Sequence, residues 1–385
     1  MPDAPDAPQS PRAPLTNASL EQIADRLRTA KRVVVLTHSK PDGDAIGSSI
    51  ALVRAINMLP AWGTKPKAQA WYVGPLPAWL RAVVGDTPHE SFEQPAMISA
   101  ALAGDTEKNA SSLRTDDIDA IVITDTCSFK QLDPLQQWLT PRRAMCNVID
   151  HHVQGDEAVA ANRFVEVSAA AVVQPVAKLC QLLLNAPSAD KLPAPVAEAL
   201  YLGLATDTGW FRHSNVSRTV MTLAGELLDA GANHIKLYQC VEQQETPGRL
   251  RLISKALSTL DLRLSDRLAF MHLTMADQRD SGANPGETGG ITDFTQAIPS
   301  VMVSAMLIET PPPSAAPQDT TTKNPAQPII KISMRSKSEP IPVDVNAIAS
   351  TLGGGGHVRA AGAKVAMTLD QTKAAIMKLV GEQLK

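Results

Sequence analysis

The sequence predicts an α/β protein in two parts: a parallel-sheet N-terminal domain and a smaller, mixed-sheet α/β C-terminal domain. Three observations predict it. Short Val- and Ile-rich runs alternate with amphipathic helical stretches from about residue 20 to about residue 210, the pattern of a parallel sheet with crossover helices. Three of those runs end in clusters of Asp and His. At 385 residues the chain also exceeds one ordinary core.

The elements follow in order. Residues 1–16, rich in Pro, Ala, Asp and Ser, read as a disordered tail. Ser19 is an N-cap candidate for an amphipathic helix Leu20–Thr29. Arg32–Thr37 is the first strand, followed by a loop with Pro41 and Gly43. Gly47, Ser48 and Ser49 then open a helix that runs from about Ala45 to Asn57. Gly104 to Asp117 reads as a polar surface loop before the strand Ile118–Thr124, and Met145–Ile149 is a further strand. A helix-like run Ala197–Ala205 leads to Asp207, and another helix spans about Ser217–Ala230, closed by Gly231. Residues 17–231 thus form the first domain, 232–256 a helical connection, and 257–385 the second. There, Leu262–Leu264, Ala269–Leu273, Ser300–Ile308 and Ile329–Met334 read as strands. Residues 310–328 are too proline-dense for ladder pairing and read as a long, mobile hairpin loop. The run Gly353-Gly354-Gly355-Gly356-His357 precedes a last strand and a C-terminal helix.

Composition narrows the function. Hydrophobic residues make up 44% and charged residues 19%, as in a soluble globular protein. Aromatics are scarce at 4%, net charge is −3, and no basic run occurs. A long track for nucleic acid is therefore excluded, and a phosphate-bearing substrate must be short. Cys127, Cys146, Cys180 and Cys240 include no C-x-x-C pair, so they read as reduced thiols rather than a zinc knuckle or disulfide framework. With no signal-peptide core and no apolar span of ~18 residues, a cytoplasmic protein without a membrane partner is expected.

Chemistry concentrates in His38-x3-Asp42-x-Asp44, Asp125, Asp150-His151-His152 and Asp207. In an open α/β sheet the carboxyl ends of the strands meet at one crevice, where ligands bind. Carboxylates converging there repel one another unless cations hold them. Each cluster alone has a plainer explanation: an Asp-Gly turn with Asp42 as N-cap, a helix cap at Asp125, a solvated turn at the triplet, a surface carboxylate at Asp207. Together they offer imidazoles and carboxylates without a thiolate, a donor set suited to Mn²⁺ or another hard-to-borderline divalent ion. Two cations about 3.5–4 Å apart would activate a water and stabilise the leaving oxygen at phosphorus, with Asp125 the candidate bridge. The glycines around His357 let backbone N–H groups approach a phosphate, and Arg335 offers a bidentate contact. Neither a P-loop nor a dinucleotide fingerprint is present.

In this order the motifs resemble those of the DHH phosphoesterase superfamily, whose name-giving triplet stands here as Asp150-His151-His152. The resemblance implies two Mn²⁺ ions, with Mg²⁺ or Co²⁺ as substitutes. One would be held by His38, Asp42 and Asp125, the other by Asp44, Asp125, His151 and Asp207. It implies that His152 faces the scissile phosphate, supported by Asp150. Arg335, Ser336, Gly354, Gly355, Gly356 and His357 would bind substrate from a DHHA1-type second domain, with the active site in the cleft between the domains. Arg212 and His213, just past Asp207, are expected beside the substrate. The two-domain size is similar to that of the bifunctional oligoribonuclease/pAp phosphatase group. That implies hydrolysis of short oligoribonucleotides such as pApA and pGpG and of 3′-phosphoadenosine 5′-phosphate, by a homodimer among the expected assemblies. A soluble cyclic di-AMP phosphodiesterase is the alternative enzyme, and short-chain polyphosphate is a third substrate class. A nucleotide- or RNA-binding protein without catalysis is the alternative of another class. The loops 104–117 and 310–328 are longer than such compact enzymes require.

Overall fold

The computed structural model describes residues 16–60, 67–74, 78–92, 115–311 and 329–384. The expected tail 1–16 and loops 104–117 and 310–328 therefore lie outside the described residues except at their ends. Two compact units divide at Gln244 and Glu245.

The first unit is built on six parallel strands: β1 (Val33–Thr37), β2 (Ala68–Val73), β3 (His89–Phe92), β4 (Ala120–Thr124), β5 (Cys146–Asp150) and β6 (Asn162–Val165). Their spatial order is β3-β2-β1-β4-β5-β6, which reverses direction between β1 and β4. Such a switch point opens a crevice at the carboxyl ends of the strands. The central strands are buried on both faces, which is why they read as continuous apolar runs. Val33, Val35 and Val122 pack toward the helices Leu20–Thr29, Gly43–Asn57, Val173–Leu184 and Ala194–Asp207. Val34, Leu36, Ile121 and Ile123 face the other way, against Trp71, Phe92 and Trp138. There the Trp71 ring stands edge-on to Phe92 at 5.6 Å.

The helix after β1 starts earlier than the sequence suggested. It begins at Gly43, capped by Asp42, whose Oδ1 accepts from the N–H groups of Asp44 and Ala45 at 3.1 Å each. Gly47, Ser48 and Ser49 therefore lie inside the helix and do not open it. Ser48 Oγ donates to the Ala45 carbonyl and to Thr124 Oγ1, so these hydroxyls find partners within the core. Gly47 has a packing role. A Cβ there would lie 2.5 Å from the Ala199 carbonyl oxygen of the helix Ala194–Asp207. A Cβ on Gly203 would lie 2.5 Å from Val173 and 2.7 Å from Asp44 Oδ1. This glycine crossing draws Asp44 and Asp207 onto one site.

In the second unit the strands are β7 (Asp261–Arg263), β8 (Leu268–Leu273), β9 (Val303–Thr310), β10 (Ile329–Ser336), β11 (Gly355–His357) and β12 (Ala360–Val365), in the order β11-β12-β10-β9-β8-β7. Only β8 and β9 run parallel. The expected connection 232–256 is two helices, His234–Glu242 and Pro247–Ser258, interrupted between them. The glycine run does not merely precede the last strand: Gly355–His357 is itself a strand, paired with Gly362–Ala360 of β12. One face of the sheet is covered by the helices Val345–Thr351 and Leu369–Gln383. On the other face, the helix Pro247–Ser258 and Ile291 cover β8 and β9. No helix among the described residues is long and apolar enough to cross a membrane.

The glycine crossing yields a paired test. Gly203→Ala should lower stability by about 1–3 kcal/mol through overpacking. Gly225→Ala, in the open within the helix Arg218–Asp229, should raise it by roughly 0.5–1 kcal/mol. Thermal unfolding of both variants checks the contrast; equal effects would contradict it.

Candidate metal centre

β1, β4 and β5 are neighbours in the sheet, and their carboxyl ends hand on to His38, Asp125 and Asp150-His151-His152 respectively. Asp125 is the hub. It is buried, its φ is +63°, uncommon for a non-glycine residue, and its N–H donates to the Ile149 carbonyl at 3.1 Å. Asp125 Oδ2 lies 3.4 Å from His38 Nε2, and Oδ1 lies 3.4 Å from His151 Nε2 and 3.8 Å from His152 Nδ1. His38 Nε2 also stands 3.9 Å from Asp42 Oδ1, and His151 Nε2 stands 3.9 Å from Asp207 Oδ2.

Backbone groups aim these side chains. His38 Nδ1 lies 3.1 Å from the Ser39 carbonyl, and His151 Nδ1 lies 3.1 Å from the Ala169 carbonyl. With each Nδ1–H donated to a carbonyl, each Nε2 lone pair is left for a cation. Asp44 accepts from Val172 N–H at 2.6 Å on Oδ2 and from Val173 N–H at 3.2 Å on Oδ1, at the start of the helix Val173–Leu184. Asp42 is at once the helix cap and a neighbour of His38. Asp150 Oδ1 accepts from the N–H groups of His151 and His152 and from His152 Nδ1, the last at 2.8 Å. Asp207 is the last residue of its helix, and Asn215 Nδ2 donates to its backbone carbonyl at 3.2 Å.

The electrostatics of this cluster call for positive charge. Burial holds the Asp44 carboxyl well above the ordinary carboxylate range, and the charges of Asp125 and Asp207 push it further. Burial also raises Asp207. Burial pulls the imidazole of His38 down, but the facing carboxylates of Asp125 and Asp42 outweigh it and lift the group to about 10. The same competition, won by Asp125 and Asp44, lifts His151 to about 9. Three overlapping sets could each hold an ion: His38–Asp42–Asp125, Asp44–His151–Asp207 and Asp125–His151–His152, each with ligand atoms within 4.8 Å of one another. Asp125 Oδ1 is buried without a hydrogen-bond partner among the described residues, an uncompensated charge that a cation would satisfy. The donors fit a divalent metal.

Residues 32–204 match the DHH family, N-terminal domain. That match and the relatives that follow support a place in the DHH phosphoesterase group. The chain is 28% identical over 355 residues to the bifunctional oligoribonuclease and PAP phosphatase NrnA of Thermus thermophilus, covering 91% of this chain and 90% of that protein. It is 28% identical over 224 residues to the protein of the same name from Mycoplasma pneumoniae, covering 57% and 59%. An exopolyphosphatase-related protein from Bacteroides fragilis shares the fold, with a TM-score of 0.68 and 21% identity over 95% of this chain and 97% of that one.

The remaining expected residues lie in the second unit or past Asp207. Arg335 and Ser336 end β10. Arg335 Nη1 donates to its neighbour's carbonyl at Met334, and its Nε stands 3.6 Å from Asp293, a carboxylate the sequence did not flag. Ser336 Oγ donates to the Val343 carbonyl at 2.7 Å. Gly355, Gly356 and His357 are exposed on the outermost strand of the sheet. Gly354 packs so closely that a Cβ would strike the Gly362 carbonyl. Arg212 is exposed, its Nε donating to the Gly209 carbonyl at 2.8 Å. The His213 ring covers Gly209, whose φ of +55° and lack of a Cβ this packing requires. Sequence reasoning did not find the Ala169 carbonyl, the Val172 and Val173 N–H groups or Asn215. The backbone groups have no residue signature to find.

A pH test follows for the metal-free protein. Because the folded-state values of His38 and His151 exceed the unfolded one, the folded state binds more protons above pH ~6.5, and stability falls as pH rises through about 9 to about 10. Asp44 acts with the same sign from the acid side. The thermal midpoint of chelator-stripped protein should decline from pH 7 to 10, and added Mn²⁺ should remove most of the decline. A flat profile in stripped protein would contradict this.

Proposed function

We propose that this DHH phosphoesterase is a Mn²⁺-dependent hydrolase of short oligoribonucleotides and of 3′-phosphoadenosine 5′-phosphate. The observation that carries the substrate class is 28% identity, along 91% of the chain, to a protein named for both activities. Under this reading His38, Asp42 and Asp125 hold one ion, and Asp44, Asp125, His151 and Asp207 hold a second. Bound there, such a pair polarises a water and neutralises charge on the phosphoryl group.

The chain's own residues do the rest. Asp125 turns one oxygen toward His38 and the other toward His151, so a single buried carboxylate would be placed to serve both ions. Asp150 holds His152 Nδ1, and the His152 side chain is 47% exposed. That hydrogen bond raises the His152 imidazole, against burial, and favours the protonated ring. Its Nε2–H then donates to a phosphate oxygen or to the leaving oxygen. Arg335 contacts phosphate through its guanidinium, while Gly355, Gly356 and His357 border the nucleotide through backbone and side-chain donors; Ser336 and Gly354, whose donors are bonded within the protein, shape the chain around them instead.

Turnover in Mn²⁺ of pAp, pApA, cyclic di-AMP and tripolyphosphate tests the reading. Hydrolysis of pAp and pApA is expected; both left intact while another substrate is cleaved would overturn it. Asp150→Asn should lower kcat by about 10–100-fold, the usual cost of a lost supporting hydrogen bond at a metal site. Asp125→Asn should cost more.

A further inference from the structure

The open face of β10 and β12 carries an anion-binding feature beyond Arg335 and the glycine run. Strand alternation sends Ile330, Ile332 and Met334 into the core, together with Ala361, Ala363 and Val365 from β12. The opposite face presents Lys331, Ser333 and Arg335, directly across from Lys364, Gly362 and Ala360. The helix Pro247–Ser258 and its neighbours cover β8 and β9 on this side, and the β10–β12 strip borders a cleft of about 550 Å³. Its floor is low because Ser333, Gly362 and Ala360 are small.

Lys331 and Lys364 close the far end of this strip. They are exposed and stand as direct cross-strand partners on one face. Like charges placed so are destabilising in an antiparallel pair, and no carboxylate among the described residues lies within ion-pair distance of either. An anion between them would relieve the repulsion. Lys331 is four residues from Arg335 along one strand, or about 13 Å at about 3.3 Å per residue. A mononucleotide seated at Arg335 leaves the lysines unused, whereas a longer chain can lay a further phosphate there.

We infer that Lys331 and Lys364 form a distal phosphate subsite that favours oligonucleotides of three or more residues over dinucleotides and pAp. The inference rests on the proposed nucleotide reading of this face and extends it from substrate class to substrate length. The lysines act through charge on a phosphate and read no base.

The experiment uses the full chain and 5′-phosphorylated oligoadenylates of two to five nucleotides. Binding is followed by fluorescence anisotropy in chelator and turnover in Mn²⁺. In the wild type, affinity should step up once the chain is long enough to reach the lysines. Lys331→Ala and Lys364→Ala should each remove that step, raise the ratio of the five-nucleotide to the two-nucleotide KM several-fold, and lower the slope of log affinity against log salt by about 0.7 for the longer chain. Lys331→Arg, which keeps the charge, should restore the step. An affinity independent of length, or variants that weaken all lengths alike, would overturn the subsite while leaving the hydrolase reading in place. Absent turnover with the length step intact and lysine-dependent would support the subsite and overturn the hydrolase reading instead.

Discussion

Negative charge gathered at the carboxyl edge of a parallel sheet is the constraint on which the rest of the first unit depends. Asp44 and Asp125 are buried, and Asp207 is partly so, around imidazoles whose Nε2 atoms face carboxylates. Left alone, their charges hold the Asp44 carboxyl high and keep protons on His38 and His151. Divalent cations relieve the same repulsion without protonating the ligands. The scaffold is shaped to hold this arrangement rather than to relax it. The Gly47–Gly203 crossing brings two helices within backbone contact, and two N–H groups at the start of a third helix fix Asp44. Asp125 keeps a left-handed backbone at the end of β4, a conformation that functional sites retain when their surroundings over-determine it.

The second unit solves a different problem. Its sheet buries one face over β8, β9, β10 and β12 and the other only over β8 and β9, leaving the second face of β10 and β12 to present basic and small residues to solvent. The glycines serve this surface in two ways. Gly354 and Gly362 permit close approach of main chain to main chain, and Gly355–His357 form an outer strand with exposed backbone donors. With little aromatic content, a ligand on this surface would meet charge and backbone rather than stacking faces.

Much of this was legible in the sequence, for identifiable reasons. Strands buried on both faces leave continuous Val/Ile runs, so β1, β4 and β5 stood out, and each was followed by residues that are costly to bury without compensation. Asp42 shows why a plain explanation and a functional one need not compete: the same oxygen that caps the helix lies near His38. β2, β3 and β6 were not singled out, since His89–Phe92 and Asn162–Val165 are short and only partly buried. The glycine run was not legible as a strand because glycine disfavours strands, yet its close packing on β12 requires the missing Cβ. Gly47 was read as a helix start for lack of any local sign that another helix lies against it. The carbonyl of Ala169 and the N–H groups of Val172 and Val173 could not be read at all, because backbone groups are the same in every residue.

We propose that two divalent ions share Asp125. Calorimetric titration of Mn²⁺ into chelator-stripped protein tests it most directly, in the wild type and in Asp125→Asn. The account expects two ions per chain in the wild type and loss of tight binding at both positions when this one carboxylate is neutralised. No tight binding in the wild type, or an Asp125→Asn titration unchanged from it, would contradict the account.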